Sequence, residues 1–305
     1  MKQKLHNPIG LIIPWSIAFL VFFIYAFYWK NTAQKIEAAI MAQKGKAFDF
    51  SHVDVEGFPI RFSVKLKNFS KPILGQNLHI DEINTTTRPL SPNLWTIDKV
   101  IGISLSDANN QKTDIIPTNS LATINLNYQP NLPRFQRISI EIANLDFKST
   151  QNSKTLNNLK IHFLGDAKNN AYGFSFEGNG LGQFEPFTSA YLEPQILRGL
   201  VLDAKAFDNG YENWRNNNGQ IAIKYGVVKL NKWGIFNSGD FTNLNGNLAI
   251  DGQNNVSGVI DNNAHIEVFS GNKIAIPNFK IHVLNSKIDI QKSLSSIDLG
   301  KISAN

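Results

Sequence analysis

No stretch of this chain limits its fold as tightly as Ile9 to Tyr28, IGLIIPWSIAFLVFFIYAFY, which carries no charge. As a helix at 1.5 Å per residue it would be about 30 Å long, the thickness of a bilayer hydrocarbon core. Trp15 lies inside it, and Tyr25, Tyr28 and Trp29 gather at its C-terminal end, where an aromatic belt would sit. Pro14 is tolerated near the start of such a helix. A cleavable signal peptide would have a shorter apolar stretch ending at a small-x-small site. Here Ala26-Phe27-Tyr28 puts a bulky residue at the cleavage position. The run therefore predicts an uncleaved transmembrane helix over 9–29 after a cytoplasmic N-terminus, 1–8.

Lys2 and Lys4 precede the helix, and Lys30, Lys35, Lys44 and Lys46 follow it. A literal positive-inside count favours a cytoplasmic C-terminus, but long downstream domains translocate largely regardless of charge. A β-rich body without cysteine favours export. The expectation is an inner-membrane, single-pass protein with its C-terminal body in the periplasm. Of the net charge of +6, Lys2, Lys4 and Lys30 supply three, leaving +3 for the rest, which is no nucleic-acid signature. The absence of cysteine excludes disulfides, thiolate metal sites and a cysteine nucleophile.

After the anchor, Ala33, Ile36, Ile40 and Met41 recur at helical spacing, and Gly45 is placed to cap. This predicts a helical stalk over 30–46 whose stripe packs on the domain below. Beyond Gly45 the period changes to two. Phe58, Ile60, Phe62, Val64 and Leu66 alternate with Pro59, Arg61, Ser63, Lys65 and Lys67. The pattern returns at Ile124–Tyr128, Ile138–Ile142, Phe174 and Phe176, Ile221–Val227, and Phe279–Val283. One-sided alternation without intervening helical patterns marks antiparallel sheet with one wet face.

Asn179-Gly180, Asn209-Gly210, Asn218-Gly219, Asn245-Gly246 and Asp251-Gly252 read as turns. Asp251-Gly252, between Asn247–Ile250 and Val256–Ile260, predicts a hairpin. Asparagine is abundant and is given no role. Thr188 to Asn217 breaks the β pattern and reads as one or two short helices. The fold class is mainly β: an elongated, curved antiparallel body of two regions, 47–186 and 219–305, joined by a helical connection over 187–218.

The anchor, the stalk and then Val53-Asp54-Val55-Glu56-Gly57-Phe58-Pro59-Ile60-Arg61 resemble an uncharacterised alphaproteobacterial family, domain-of-unknown-function family 2125. The C-terminal half is similar too: Gly219-Gln220-Ile221 opens a strand, and Leu244 to Ile260 reads as a G-x-L-x-I-D step into another. The resemblance implies a membrane-anchored envelope protein and brings no catalytic residue. More distantly, the layout is similar to the bacterial AsmA-like proteins, which are associated with lipid traffic.

Motifs for chemistry are absent from the sequence. The six histidines include no i, i+4 pair and no HExxH, and there is no GxSxG elbow. Asp81 and Glu82 are adjacent and would point to opposite faces of a strand. Gly178, Gly180 and Gly182 form a G-x-G-x-G string with no following helix, and read as a flexible turn. The expectation is a non-enzymatic protein without cofactor or metal. Two functions fit. One is an apolar groove sheltering lipid or another hydrophobic ligand, lined by Phe58, Phe62, Val64, Phe174, Phe176, Ile221, Ile223 and Phe279. The alternative is an envelope scaffold that docks another protein. For each of the eight side chains, membership of a closed core is an equally good reading.

Overall fold

The computed structural model describes residues 9–46, 48–73, 76–128, 133–149, 153–166, 171–184, 187–202, 207–230, 238–267, 273–295 and 303–304. The expected cytoplasmic segment 1–8 and the boundary residues Ala47 and Pro186 lie outside them. The protein is mainly β, and its strands pair antiparallel. It packs into two units, Met1–Pro92 with Ile97–Asn110, and Asn93–Thr96 with Gln111–Asn305. Residues 187–218 thus lie inside the second unit.

The first unit begins with helix α1, Ile9–Met41, continuous for 33 residues. The charge-free run and the expected stalk are one helix. Side chains are described from Pro14 onward, and Pro14–Trp29 rises only about 24 Å before Lys30. Among the described residues no helix is long and apolar enough to cross a membrane. Towards its end Ala33 is buried and Ile36 and Ile40 are half-buried, as expected for a stripe packed on the domain, but Met41, the last residue of that stripe, is 49% exposed. Strands β1 (His52–Glu56), β2 (Phe62–Ile73), β3 (Gln76–Arg88) and β4 (Ser91–Ser106) follow in spatial order.

The first strand differs from its expected course. Phe58, Pro59 and Ile60 are not on it but form the loop between β1 and β2, with Val55 opposite Val64 and Glu56 opposite Ser63. Gly57 carries a φ of +101°, and the Ile60 and Arg61 N–H groups both donate to its carbonyl. Pro59 has no N–H for a ladder, so the alternating run becomes strand only at Phe62.

The second unit contains β5 (Lys112–Tyr128), β6 (Pro133–Ser149), β7 (Ser153–Asp166), β8 (Ala171–Phe184) and β9 (Phe187–Arg198), each beside the next. Helix α2 (Phe207–Asn216) leads into β10 (Gly219–Ile223) and β11 (Gly226–Leu230), both paired with β9. Then come β12 (Ser238–Ile250), β13 (Val256–Glu267) and β14 (Lys273–Leu284). Among the described residues of the expected helical connection, Phe207–Asn216 is a helix, whereas Phe187–Arg198 is a strand. Pro194 falls where the β8 partner register shifts, and there a missing N–H costs no ladder bond.

At that point β9 passes from β11, with Gly226 opposite Leu192, to β10, with Ala222 opposite Ile196. Gln195, only 1% exposed, fills the gap. Its amide N–H donates to the Tyr225 carbonyl at 2.6 Å and to the Glu193 carbonyl, and its oxygen accepts from the Lys224 N–H at 2.6 Å. Gln195→Leu should remove these part-buried hydrogen bonds and lower stability by about 1–3 kcal/mol. A fall in the urea midpoint with an unchanged m-value would show it.

The asparagines have a structural role after all. Among the described residues, ten other than glycine have a left-handed φ, and nine are asparagine. Asn68, Asn119, Asn158, Asn243 and Asn278 do so inside strands. Each sits where the apolar alternation slips by one. In β14 the inward residues are Ile274 and Ile276, then Phe279, Ile281 and Val283, with Asn278 at the slip. In β7 they are Leu156, then Leu159 and Ile161, around Asn158. Register breaks at both positions confirm an extra residue. A bulge lets a slipped sequence keep one face inward, and asparagine tolerates the left-handed backbone it needs.

The same chemistry explains the turn dipeptides. Asp251-Gly252 and Asn218-Gly219 do mark turns, and Ile250 faces Val256 across the expected hairpin. Asn179-Gly180 and Asn245-Gly246 lie within strands, and Asn209-Gly210 lies in α2. The G-x-G-x-G string is part of β8, not a flexible turn. Gly180 has a φ of +77°, and a Cβ there would crowd Asn157 and Thr155 of β7.

Candidate functional site

The registers of β5 to β8 align their inward side chains into rungs. Ile124, Ile138, Phe163 and Phe174 face one another in sequence across the four strands. So do Ala122, Ile140, Ile161 and Phe176. All eight are half-buried. Three strand spacings make each rung about 14 Å wide. Phe163 and Phe174 have ring centroids 5.0 Å apart. No side chain in the two rungs has a hydrogen-bonding group, so the ladder offers a ligand only apolar contact.

The ladder is closed at one end. Tyr172 and Leu197 continue it into a sealed cluster with Leu200, Leu202, Trp214 and Ile250. The Tyr172 hydroxyl lies 2.6 Å from the Phe135 carbonyl and 3.0 Å from the Leu202 carbonyl. The Trp214 indole N–H donates to the Arg198 carbonyl at 2.7 Å, and its ring covers Gly219. A recess of about 90 Å³ beside Tyr172 has room for a few waters. At the other end Leu145, Leu156 and Leu159 form a smaller buried cluster.

The opposite face of these strands is polar. Glu141, Lys160 and Glu177 share one rung, and the Lys160 ammonium lies 2.9 Å from Glu177. That hydrogen bond, followed by the carboxylate charge, holds the Lys160 pKa above its usual value. In the β12–β13 turn the Asn255 backbone N–H, then its side chain, holds Asp251 below the usual carboxylate range. Both groups are half-buried structural partners. Among the described residues no group of three acidic or histidine side chains could hold a metal.

The eight expected groove residues do not form one lining. Phe62 and Val64 are fully buried in the first unit, and Phe58 is 41% exposed at the β1–β2 loop. In the second unit Ile223 and Phe279 belong to a sealed core with Phe241 and Ile266, against which Ile221 packs. Phe174 and Phe176 stand in the ladder. In the sequence Ile124, Ile138 and Ile140 are legible as strand residues and not as site residues. In β7 the alternation of Leu159, Ile161 and Phe163 is the signal that marks its part of the ladder.

A family model described as "Uncharacterized protein conserved in bacteria (DUF2125)" matches residues 27–261. The chain belongs to this family. The DUF2125 match contains the β1–β2 loop, the whole ladder, and the strands at Gly219 and Leu244–Ile260 on which the resemblance rested. No curated protein matches the chain, and no solved structure does. The AsmA-like likeness therefore stays one of layout.

Proposed function

We propose that this DUF2125 protein is a membrane-anchored envelope protein whose β5–β8 face shelters the alkyl chain of a lipid or similar ligand. The ladder of half-buried apolar rungs carries this reading. It lacks any donor or acceptor, which suits a hydrocarbon and no polar substrate. Its action would be passive, each sheltered methylene contributing about 0.8 kcal/mol. The anchor reading rests on the charge-free sequence Ile9–Trp29, about 31 Å as a helix, which would hold the body at the inner membrane's periplasmic surface.

Mass spectrometry of organic extracts from the purified protein should find a reproducible lipid. Ile140→Asn removes two or so methylene contacts from the second rung and should weaken binding of a fluorescent fatty acid about tenfold. Wild-type protein that binds no such probe and copurifies with a stoichiometric protein partner instead would favour an envelope scaffold.

A further inference from the structure

The exposed loop between β1 and β2 is held against the apolar part of α1, and its position has a consequence for the membrane. Phe58 packs on Phe22, Tyr25 and Trp29, with ring centroids 5.9, 6.2 and 5.5 Å away. These three residues share one helix face, at i, i+3 and i+7. The Tyr25 hydroxyl donates to the Pro59 carbonyl, and the Trp29 indole N–H donates to the Arg61 carbonyl at 3.2 Å. Trp29 also stacks on the buried Phe62, at 5.2 Å. The tight turn at Gly57 leaves no room for a side chain, since a Cβ would come within 2.8 Å of the Arg61 carbonyl oxygen.

Ring contacts and hydrogen bonds thus fix the loop beside the charge-free band. Trp29 is one residue and Phe22 eight residues before Lys30, the first charge after the band. At 1.5 Å per residue Phe58 lies about 2–12 Å on the apolar side of Lys30. The neighbouring helix surface is exposed and apolar: Phe23 is 66% and Phe27 74% exposed. At the loop tip Ile60 is 78% exposed. Arg61 at its base is exposed, as is Glu56 before Gly57.

We propose that Gly57–Arg61 is a second membrane contact, a wedge that places Phe58, Pro59 and Ile60 among the lipid headgroups and upper acyl chains beside α1. The depth matches the 5–10 Å at which apolar faces settle in the interface, and Arg61 suits anionic headgroups. This rests on the anchor reading above. The wedge fixes the first unit to the bilayer at two points, so that it cannot swivel freely about the helix.

The chain lacks cysteine, so single sites can be labelled. The full-length Ile60→Cys and Phe23→Cys proteins, labelled with an environment-sensitive fluorophore, are reconstituted in phosphatidylethanolamine–phosphatidylglycerol vesicles with or without doxyl-labelled lipid. Both labels should emit in the blue, and doxyl lipid should remove most of the emission of each, the Ile60 label responding best to shallow doxyl groups. Quenching at Phe23 with a water-like spectrum at Ile60 would overturn the wedge and leave the anchor standing. Water-like spectra at both would overturn the anchor and the wedge together. A blue label at Ile60 that lipid does not quench would mean a protein contact, and would also overturn the proposal.

Discussion

Phe62→Asp should unfold or nearly unfold the first unit. Phe62 is fully buried, follows the Gly57–Arg61 loop and stacks on Trp29 of α1. Removing a buried phenylalanine side chain costs about 3–5 kcal/mol, and leaving an unpaired carboxylate there costs more. Whole domains are stable by only about 5–15 kcal/mol. Lys65→Gln, on the opposite face, removes a partly exposed contact to Glu82 at 3.4 Å and should cost at most about 1 kcal/mol. Urea unfolding in detergent compares the two. Equal midpoints would mean that the faces of β2 are assigned wrongly.

Phe279→Ala should be nearly as damaging in the second unit, at about 3–5 kcal/mol. Phe279 is fully buried, its ring 6.1 Å from that of Phe241, in the core shared by β10 to β14. The residue before it is Asn278, with a φ of +53°. Asn278→Gly should be tolerated, whereas Asn278→Val should cost about 1–2 kcal/mol, because a β-branched side chain resists that backbone. A destabilised Phe279→Ala beside an unaffected Asn278→Val would sink the bulge account while sparing the core.

Strict alternation made β2, β5, β6, β10 and β14 legible, because a strand with one buried face must repeat every second residue. The slips within strands were not legible as such. In β14, Ile276 and Phe279 are three apart, which looks like an interruption until Asn278 is seen to hold a bulge that restores the face. Ile196, Leu197, Leu200, Val201 and Leu202 read as helix, but Ile196 and Leu197 are on β9, and Leu200 and Leu202 follow the strand into the cluster around Trp214. Pairing with three neighbours outweighed local pattern there. Of the candidate site, Phe174 and Phe176 were legible. The rungs they complete depend on register across four strands, which periodicity within one strand does not specify.

The most direct test of the ladder is photo-crosslinking of the full-length protein with a diazirine-bearing fatty acid, followed by peptide mass spectrometry. The account predicts adducts on β6 and β7, at Ile140, Ile161 or Phe163, suppressed by excess unlabelled fatty acid. Adducts confined to α1 and the β1–β2 loop, with none on β5 to β8, would contradict it.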